Sequence, residues 1–402
     1  MDFTLAPETE DIRRRVRAFI AEHVLPLESD PANFADHENI PHDRLEPVRA
    51  KAKAVGLWAP QTPKELGGMG LPIVAWAAVY EEAARSIFGP LAINCMAPDD
   101  GNMNLLAKVG TPAQKEWFLK PIVEGKVRSS FAMTEPHPGS GSDPGMMLTR
   151  AEKRNDRYII RGRKWFITGA DGAANFILLA RTSDDPRRGL TAFLYHKDQP
   201  GWRIRRRIPI MGPEEHGGHC EIEFDGLEVP QENVLMEEGD GLRITQIRLG
   251  PARLTHCMRW LGFAKRCVEI AQEYVSKREG FGIKLADRES VQIKLGDIAH
   301  QIEIGRLLTM KAAWALDQGS RARKEVSMAK IQVAQALHNA ADTAIQLNGA
   351  RGYSKDTILE WIYRYARSAR LVDGADEVHK MVLARFLREQ GRDFWHWGMG
   401  EK

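Results

Sequence analysis

The spacing of apolar residues changes character twice along this chain. In the first part it is helical. Ile12, Val16, Phe19 and Ile20 recur at i, i+4, i+7 and i+8 and make one apolar stripe. Trp76 to Ala84 and Ala113 to Val123 read as further helices, and Gly67-Gly68-Met69-Gly70-Leu71-Pro72 as a loop. From about residue 128 the period shortens. Tyr158-Ile159-Ile160, Phe176 to Ala180 and Leu190 to Leu194 are short apolar runs bounded by Gly, Asp and Pro. Cys220, Ile222 and Phe224 alternate with Glu221 and Glu223, which predicts a strand with one wet face. Phe224-Asp225-Gly226-Leu227 predicts a tight turn. From about residue 240 long helical segments return. Val333, Leu337, Ala340, Ala344 and Ile345 mark one face, and Ala336, Ala340 and Ala341 are small enough to let helices pack closely. The closing run DFWHWGMGEK leaves that rhythm and reads as a tail.

This pattern predicts an α+β protein in three parts: an all-α domain over 1–127, a β domain over 128–240 and a helical bundle over 241–402. A length of 402 residues suits two or three domains. An all-strand segment between two all-helix segments is not a βαβ pattern. No G-x-G-x-x-G follows a strand, which argues against a nicotinamide Rossmann enzyme. With 43% hydrophobic and 28% charged residues the composition is that of a soluble globular protein. A net charge of +3 demands neither a nucleic-acid nor a membrane partner. The four cysteines, Cys95, Cys220, Cys257 and Cys267, form no C-x-x-C. That speaks against a zinc site or a disulfide framework and fits a reducing cytoplasm. No signal-peptide h-region is visible, and no run reaches the roughly 18 apolar residues of a spanning helix.

The candidate chemistry starts at Phe131-Ala132-Met133-Thr134-Glu135-Pro136, which opens into Gly139-Ser140-Gly141-Ser142-Asp143. Such a loop lets backbone N–H groups and Ser hydroxyls approach a phosphate or a flat polar ring, although most loops of this composition are plain turns. Further segments join it: Glu65-Leu-Gly-Gly-Met-Gly-Leu, Gly110-Thr-Pro-Ala-Gln-Lys, Lys164-Trp-Phe-Ile-Thr-Gly, Arg278-Glu-Gly-Phe-Gly and Gln346-Leu-Asn-Gly-Ala-Arg-Gly-Tyr. Together, in this order and spacing, they resemble the acyl-CoA dehydrogenase family over almost the whole chain. A narrower resemblance rests on Ala97-Pro-Asp-Asp-Gly-Asn-Met, Gly217-Gly-His-Cys-Glu-Ile, Leu249-Gly-Pro-Ala-Arg-Leu-Thr-His-Cys-Met-Arg and Leu371-Val-Asp-Gly-Ala-Asp-Glu-Val-His. These are similar to the branch that in animals is fused to a phosphotransferase-like domain and acts on 4-hydroxyacyl-CoA and long-chain acyl-CoA substrates.

The resemblance implies the acyl-CoA dehydrogenase fold, with a four-helix bundle at the C-terminus, and FAD as cofactor. It implies loss of a proton from Cα of an acyl-CoA and of a hydride from Cβ to the flavin. A thioester α-proton is weakly acidic, so a positioned, desolvated base and donors to the thioester oxygen are needed. The family's base is a Glu lying 21 positions after the Gly before Tyr, which here lands on Asp373, one methylene shorter. The narrower branch also carries Asp there. As a bare dipeptide, Asp373-Gly374 is also an ordinary turn. The Asp373 N–H and an FAD ribityl hydroxyl are the implied thioester donors. Glu377 is the rival base.

For FAD, the resemblance places Phe131, Met133 and Thr134 against the isoalloxazine edge and Ser142 on the pyrophosphate. Phe166 stands where the family usually has Trp, and Thr168 near N5. Arg278 and Phe281 match a pair that reaches FAD across a subunit interface; Arg suits a pyrophosphate because its fork bonds bidentately. Gln346 and Gly349 match the adenine side, and Arg253 a residue near the CoA arm. Glu289, Ala375 and Glu377 depart from the family pattern. Arg203, Arg205, Arg206 and Arg207 read as a solvated face, and His216 and His219 as loop residues with no metal-ligand spacing. The implied partners are an acyl-CoA and electron-transfer flavoprotein, with no nucleic acid and no membrane. The implied assembly is a homotetramer, a dimer of dimers, in the cytoplasm. An acyl-CoA oxidase using O2 and a DNA-associated stress-response protein on the same fold are the competing expectations.

Overall fold

The computed structural model describes residues 4–395. Helices and their connections occupy 7–123, strands 128–230, and helices again 241–390. The first part contains α1 (Pro7–Phe19), α2 (His42–Ala54), α3 (Ile73–Ala83) and α4 (Asp99–Val109), with shorter turns between them. Helix α1 opens on Pro7 with Glu8 and Glu10 in its first turn, where the helix end favours negative charge. Its predicted stripe faces inward, with Val16, Phe19 and Ile20 buried. The segment Ala113 to Val123 is helical but broken by the wider turn Lys115–Leu119. Pro121 follows directly and offers no N–H to continue a regular ladder.

The middle part is one seven-stranded mixed sheet: β1 (Arg128–Ala132), β2 (Arg150–Arg154), β3 (Arg157–Thr168), β4 (Ala173–Arg181), β5 (Leu190–His196), β6 (Trp202–Arg207) and β7 (His219–Pro230). The order is β1-β4-β2-β3-β7-β6, with β5 also on β4. Along the antiparallel β3–β7 ladder the register slips twice. At the first slip Leu227 pairs Ile160 and Asp225 pairs Arg161, leaving Gly226 (φ +87°) as an extra residue. The expected turn at Phe224–Leu227 is therefore a bulge inside a continuous strand. The expected wet face of β7 is also covered. Glu221 is buried, because β6 lays Arg206 on it at 2.9 Å; Arg203 meets Glu223 at 2.8 Å. Much of the arginine run is thus neutralised across the strand pair.

The last part contains α5 (Gly241–Lys277), α6 (Glu289–Asp317), α7 (Arg323–Asn348), α8 (Leu359–Ala369) and α9 (Asp376–Gln390). Helix α7 packs on all four others. Its Ala336, Ala340 and Ala341 are fully buried, as their size predicts. One apolar core runs from α1 and α3 through α5 to α7, so the first and third parts share a core, while the sheet has its own. Within the expected tail, Asp393–Trp395 belong to a 3₁₀ turn, and 396–402 lie outside the described residues.

Helix α5 meets the end of α3 at Gly262. A Cβ there would lie 2.3 Å from the Glu81 carbonyl oxygen and 2.7 Å from the Ala84 methyl. Gly262→Ala should therefore destabilise by about 1–3 kcal/mol, the usual cost of overpacking. Equilibrium urea unfolding checks this; an unchanged midpoint would contradict the packing.

Candidate active site

Asp373 sits in the turn between α8 and α9. Its φ is +52° and that of Gly374 is +102°, two successive left-handed residues. Asp tolerates that region better than most side chains, but the turn still needs outside support. Arg253 Nε of α5 donates to the Asp373 carbonyl at 2.8 Å. Lys330 Nζ of α7, fully buried, donates to the carbonyls of Ala369 at 2.8 Å and Gly374 at 3.2 Å. Arg370 Nε bonds Asp376 Oδ2 across the turn at 2.7 Å.

The carboxylate of Asp373 points back at α5. Its Oδ2 is buried, 3.3 Å from His256 Nε2 and 4.0 Å from an Arg248 nitrogen, without a well-directed hydrogen bond. Burial alone would raise this pKa. His256, Arg248 and Arg253 outweigh it and hold the group well below the usual carboxylate range. Glu377, the rival, is exposed on the first turn of α9.

Arg248 ties this carboxylate to the sheet. Its guanidinium lies 4.8 Å from the centre of the Phe131 ring, and its Nε donates to Asn102 at 3.3 Å. From Phe131 the expected flavin-ring residues follow in one cluster. Trp165 N–H bonds the Thr134 carbonyl at 3.0 Å, and Ser130 Oγ bonds the Thr168 carbonyl at 2.7 Å. The second slip of the β3–β7 ladder falls at Trp165 and Phe166, since Lys164 pairs Ile222 and Ile167 pairs Cys220. Phe166 has φ +51° and is 44% exposed. The bulge turns an aromatic ring out of the sheet, beside Thr168 and His219. His219 Nδ1 is 3.1 Å from Thr168 Oγ1, so this histidine starts a strand in the cluster and is more than a loop residue.

A buried ion pair holds the loop after β1. Lys164 Nζ meets Glu135 Oε1 at 2.9 Å and the Met133 carbonyl at 2.8 Å. The Glu135 carboxylate also accepts the N–H groups of Ser140, Leu148 and Thr149. Burial brings Lys164 down to about 8. Ser142 stands exposed on this loop.

The remaining predicted residues lie elsewhere. Arg278 follows the end of α5, 25 positions after Arg253, or about 37 Å along a helix axis. Arg351 lies over Tyr274 of the same helix end, which brings the C-terminus of α7, with Gln346 and Gly349, to that neighbourhood. Arg278, Phe281, Gln346 and Gly349 are all exposed, Phe281 completely. These four residues therefore lie away from the Asp373 turn, which Arg253 bonds directly.

Sequence reasoning missed His256, Arg248, Asp100, Arg259 and Glu215. Arg259 and Asp100 are fully buried and paired at 2.6 Å. Burial pushes Glu215 up to about 7 against the pull of Arg128 and Arg259. The available signal for all but Glu215 was charge at the start of α4, Asp99 to Asn102, and among apolar neighbours in α5, Arg248 to Arg259.

A carboxylate on a pinned turn is thus linked through Arg248 to a sheet that presents an exposed aromatic ring. Models of the acyl-CoA dehydrogenase N-terminal, middle and C-terminal domains match residues 6–126, 130–227 and 239–388. The chain is 38% identical over 398 residues to the Mycobacterium tuberculosis protein named "Probable acyl-CoA dehydrogenase FadE2", covering 96% of both. It is 38% identical over 394 residues to acyl-CoA dehydrogenase family member 11 of Gallus gallus, covering 94% of this chain but 50% of that protein. This chain spans about half the length of that animal relative. The solved butyryl-CoA dehydrogenase of Megasphaera elsdenii superposes with a TM-score of 0.86 at 28% identity, over 96% of this chain and 100% of that one. The chain belongs to the acyl-CoA dehydrogenase family, a family of FAD-dependent oxidoreductases. No described helix is long and apolar enough to cross a membrane.

The site makes a pH prediction. Burial holds His216 at about 3, and His219 and His379 at about 4, against an ordinary 6.5. Between these values and 6.5 the unfolded chain binds more protons than the folded one, so stability falls as pH falls. Each histidine contributes a slope approaching about 1.4 kcal/mol per pH unit. Chemical denaturation from pH 7 to 4.5 should show this loss starting near 6.5, above the carboxylate range. A flat profile to pH 5 would refute it.

Proposed function

We propose that this chain dehydrogenates an acyl-CoA to the 2-enoyl-CoA, holding FAD and passing electrons to electron-transfer flavoprotein. The observation that carries this reading is Asp373, pinned in a strained turn and joined through Arg248 to Phe131 at the edge of the flavin-ring cluster. The residues fit the cofactor. Phe166 offers an exposed aromatic face beside Thr168, the Met133–Thr134 backbone is fixed by Lys164 and Trp165, and a Cβ at Gly141 would meet nothing within 4 Å. When bound there, FAD accepts the hydride from Cβ.

The chain's own residues do the rest. Asp373 takes the Cα proton on a carboxylate oxygen as the Cα–Cβ double bond forms. Its N–H donates to the thioester oxygen, where charge builds up, and Arg253 and Lys330 hold the turn through the carbonyls of Asp373, Ala369 and Gly374. The substrate class proposed is medium or long acyl-CoA, or acyl-CoA carrying a 4-hydroxyl. This rests on Ala97 to Met103 and Leu371 to His379. Anaerobic bleaching of the purified protein by a panel of acyl-CoAs tests it; reduction only by branched short-chain or aromatic thioesters would remove the substrate assignment.

Asp373→Asn keeps the side-chain volume and should leave FAD bound while flavin reduction falls by about 10² to 10⁴. Glu377→Gln, on an exposed residue, should reduce near the wild-type rate. Stopped-flow reduction of the two variants decides between them, and the reverse result moves the base to Glu377.

The exposure of Arg278 and Phe281, far from the Asp373 turn, favours a homotetramer, a dimer of dimers, in which they complete a neighbour's site. Arg278→Ala should lower FAD content. It should also lower the melting temperature, because bound cofactor stabilises the native state by mass action. Light scattering of a fully flavinated monomer would contradict this assembly.

A further inference from the structure

Asp373 shares its contacts with a residue that has no part in the mechanism so far. His256 is enclosed on three sides. Its ring stacks on Trp260 with centroids 5.1 Å apart and planes 23° apart. Its Nδ1 lies 3.2 Å from an Arg259 nitrogen, and its Nε2 lies 3.3 Å from Asp373 Oδ2. A guanidinium can only donate, so Nδ1 is the acceptor and the ring proton sits on Nε2. Burial, together with the charge of Arg259, disfavours protonation of the ring. Arg259 cannot swing away, because it is fixed by Asp100 at 2.6 Å and the Cys95 carbonyl at 2.9 Å. The neutral Nε2–H is therefore the donor nearest to Oδ2, 3.3 Å away though not well directed at it.

We propose that His256 is a positioning residue for Asp373: it holds Oδ2 so that Oδ1 is the oxygen presented to the substrate Cα. This rests on Asp373 being the base. An aspartate carries its carboxylate one methylene closer to the backbone than a glutamate, so it tolerates less wandering about its side-chain torsions. The hold has a price in basicity, since a donor on Oδ2 favours the charged form. Other groups face the same carboxylate and act with it: Arg248 and Arg253 from α5, Lys330 from α7 and His379 from α9.

His256→Leu removes the donor and His256→Gln keeps an N–H at the position of Nε2. The Leu variant should reduce its flavin about 10²-fold more slowly, the scale of a reacting group misplaced by about 1 Å. Losing the donor raises the pKa of Asp373, so the acid limb of the reduction profile should move up by about one pH unit or more. The Gln variant should recover most of the rate and the wild-type limb. In an Asp373→Asn background, His256→Leu should have no further effect. ¹⁵N spectra of histidine-labelled protein should show a neutral Nε2–H ring without substrate present. If the Leu variant fails to fold, His256→Asn replaces it, its amide being too short to reach Oδ2. A wild-type rate and limb in the Leu variant overturns the proposal, as does equal damage in Leu and Gln, which is the signature of packing alone. A wild-type rate in Asp373→Asn removes the base and this proposal with it. A dead Asp373→Asn beside an unaffected His256→Leu removes the proposal alone.

Discussion

The ion pair between Asp100 and Arg259 is the joint on which this molecule turns. Both side chains are out of water, and their contact at 2.6 Å links the start of α4 to the middle of α5. Thr255 Oγ1 adds a bond to the same Asp100 oxygen at 2.8 Å. A buried pair adds little net stability over a good apolar contact, but removing one partner costs roughly 3–5 kcal/mol, because a charge is left buried. Its value here is geometric. It fixes Arg259, Arg259 fixes the His256 ring, and the ring reaches Asp373. The position of a carboxylate in the turn between α8 and α9 is thereby set from the N-terminal part of the chain.

The same physics is used again on the sheet. Lys164 and Glu135 form a second buried pair, and Glu135 gathers three backbone N–H groups of the loop after β1. A loop of Gly, Ser and Pro has little apolar surface with which to hold itself. One desolvated carboxylate with several donors replaces that packing, and burial keeps the competing water away. Arg248 then joins the two systems, touching Asp373, Asn102 and Phe131.

What was legible in the sequence followed from periodicity and register. The inward stripe of α1, the strands around Phe176 and Leu190 and the alanine face of α7 all came from spacing alone, because apolar burial repeats with the backbone. Register by family resemblance put Asp373 on a turn and Phe166 beside Thr168. The failures have one cause. The reading at Phe224–Leu227 took Asp-Gly as a turn, whereas strand pairing on both sides absorbed Gly226 as a bulge. The wet face of β7 follows from Glu221 and Glu223 only without the arginines that β6 folds over them. Periodicity cannot show which distant charges meet, so His256, Arg259 and Asp100 looked like ordinary helix residues.

That blind spot bears on why an aspartate can stand where the wider family pattern has glutamate. For the base proposed, a longer side chain could find its geometry by rotating; a shorter one must be brought to the substrate by its backbone. Here the backbone is fixed from below by Arg253 and Lys330, and two left-handed residues give the turn a shape that few other sequences would adopt. Strain of this kind persists only where neighbours over-determine it. The buried charges packed around the turn provide that determination, so the substitution at 373 and the polar helix interiors at 99–102 and 248–259 belong to one arrangement. Each would be out of place without the other.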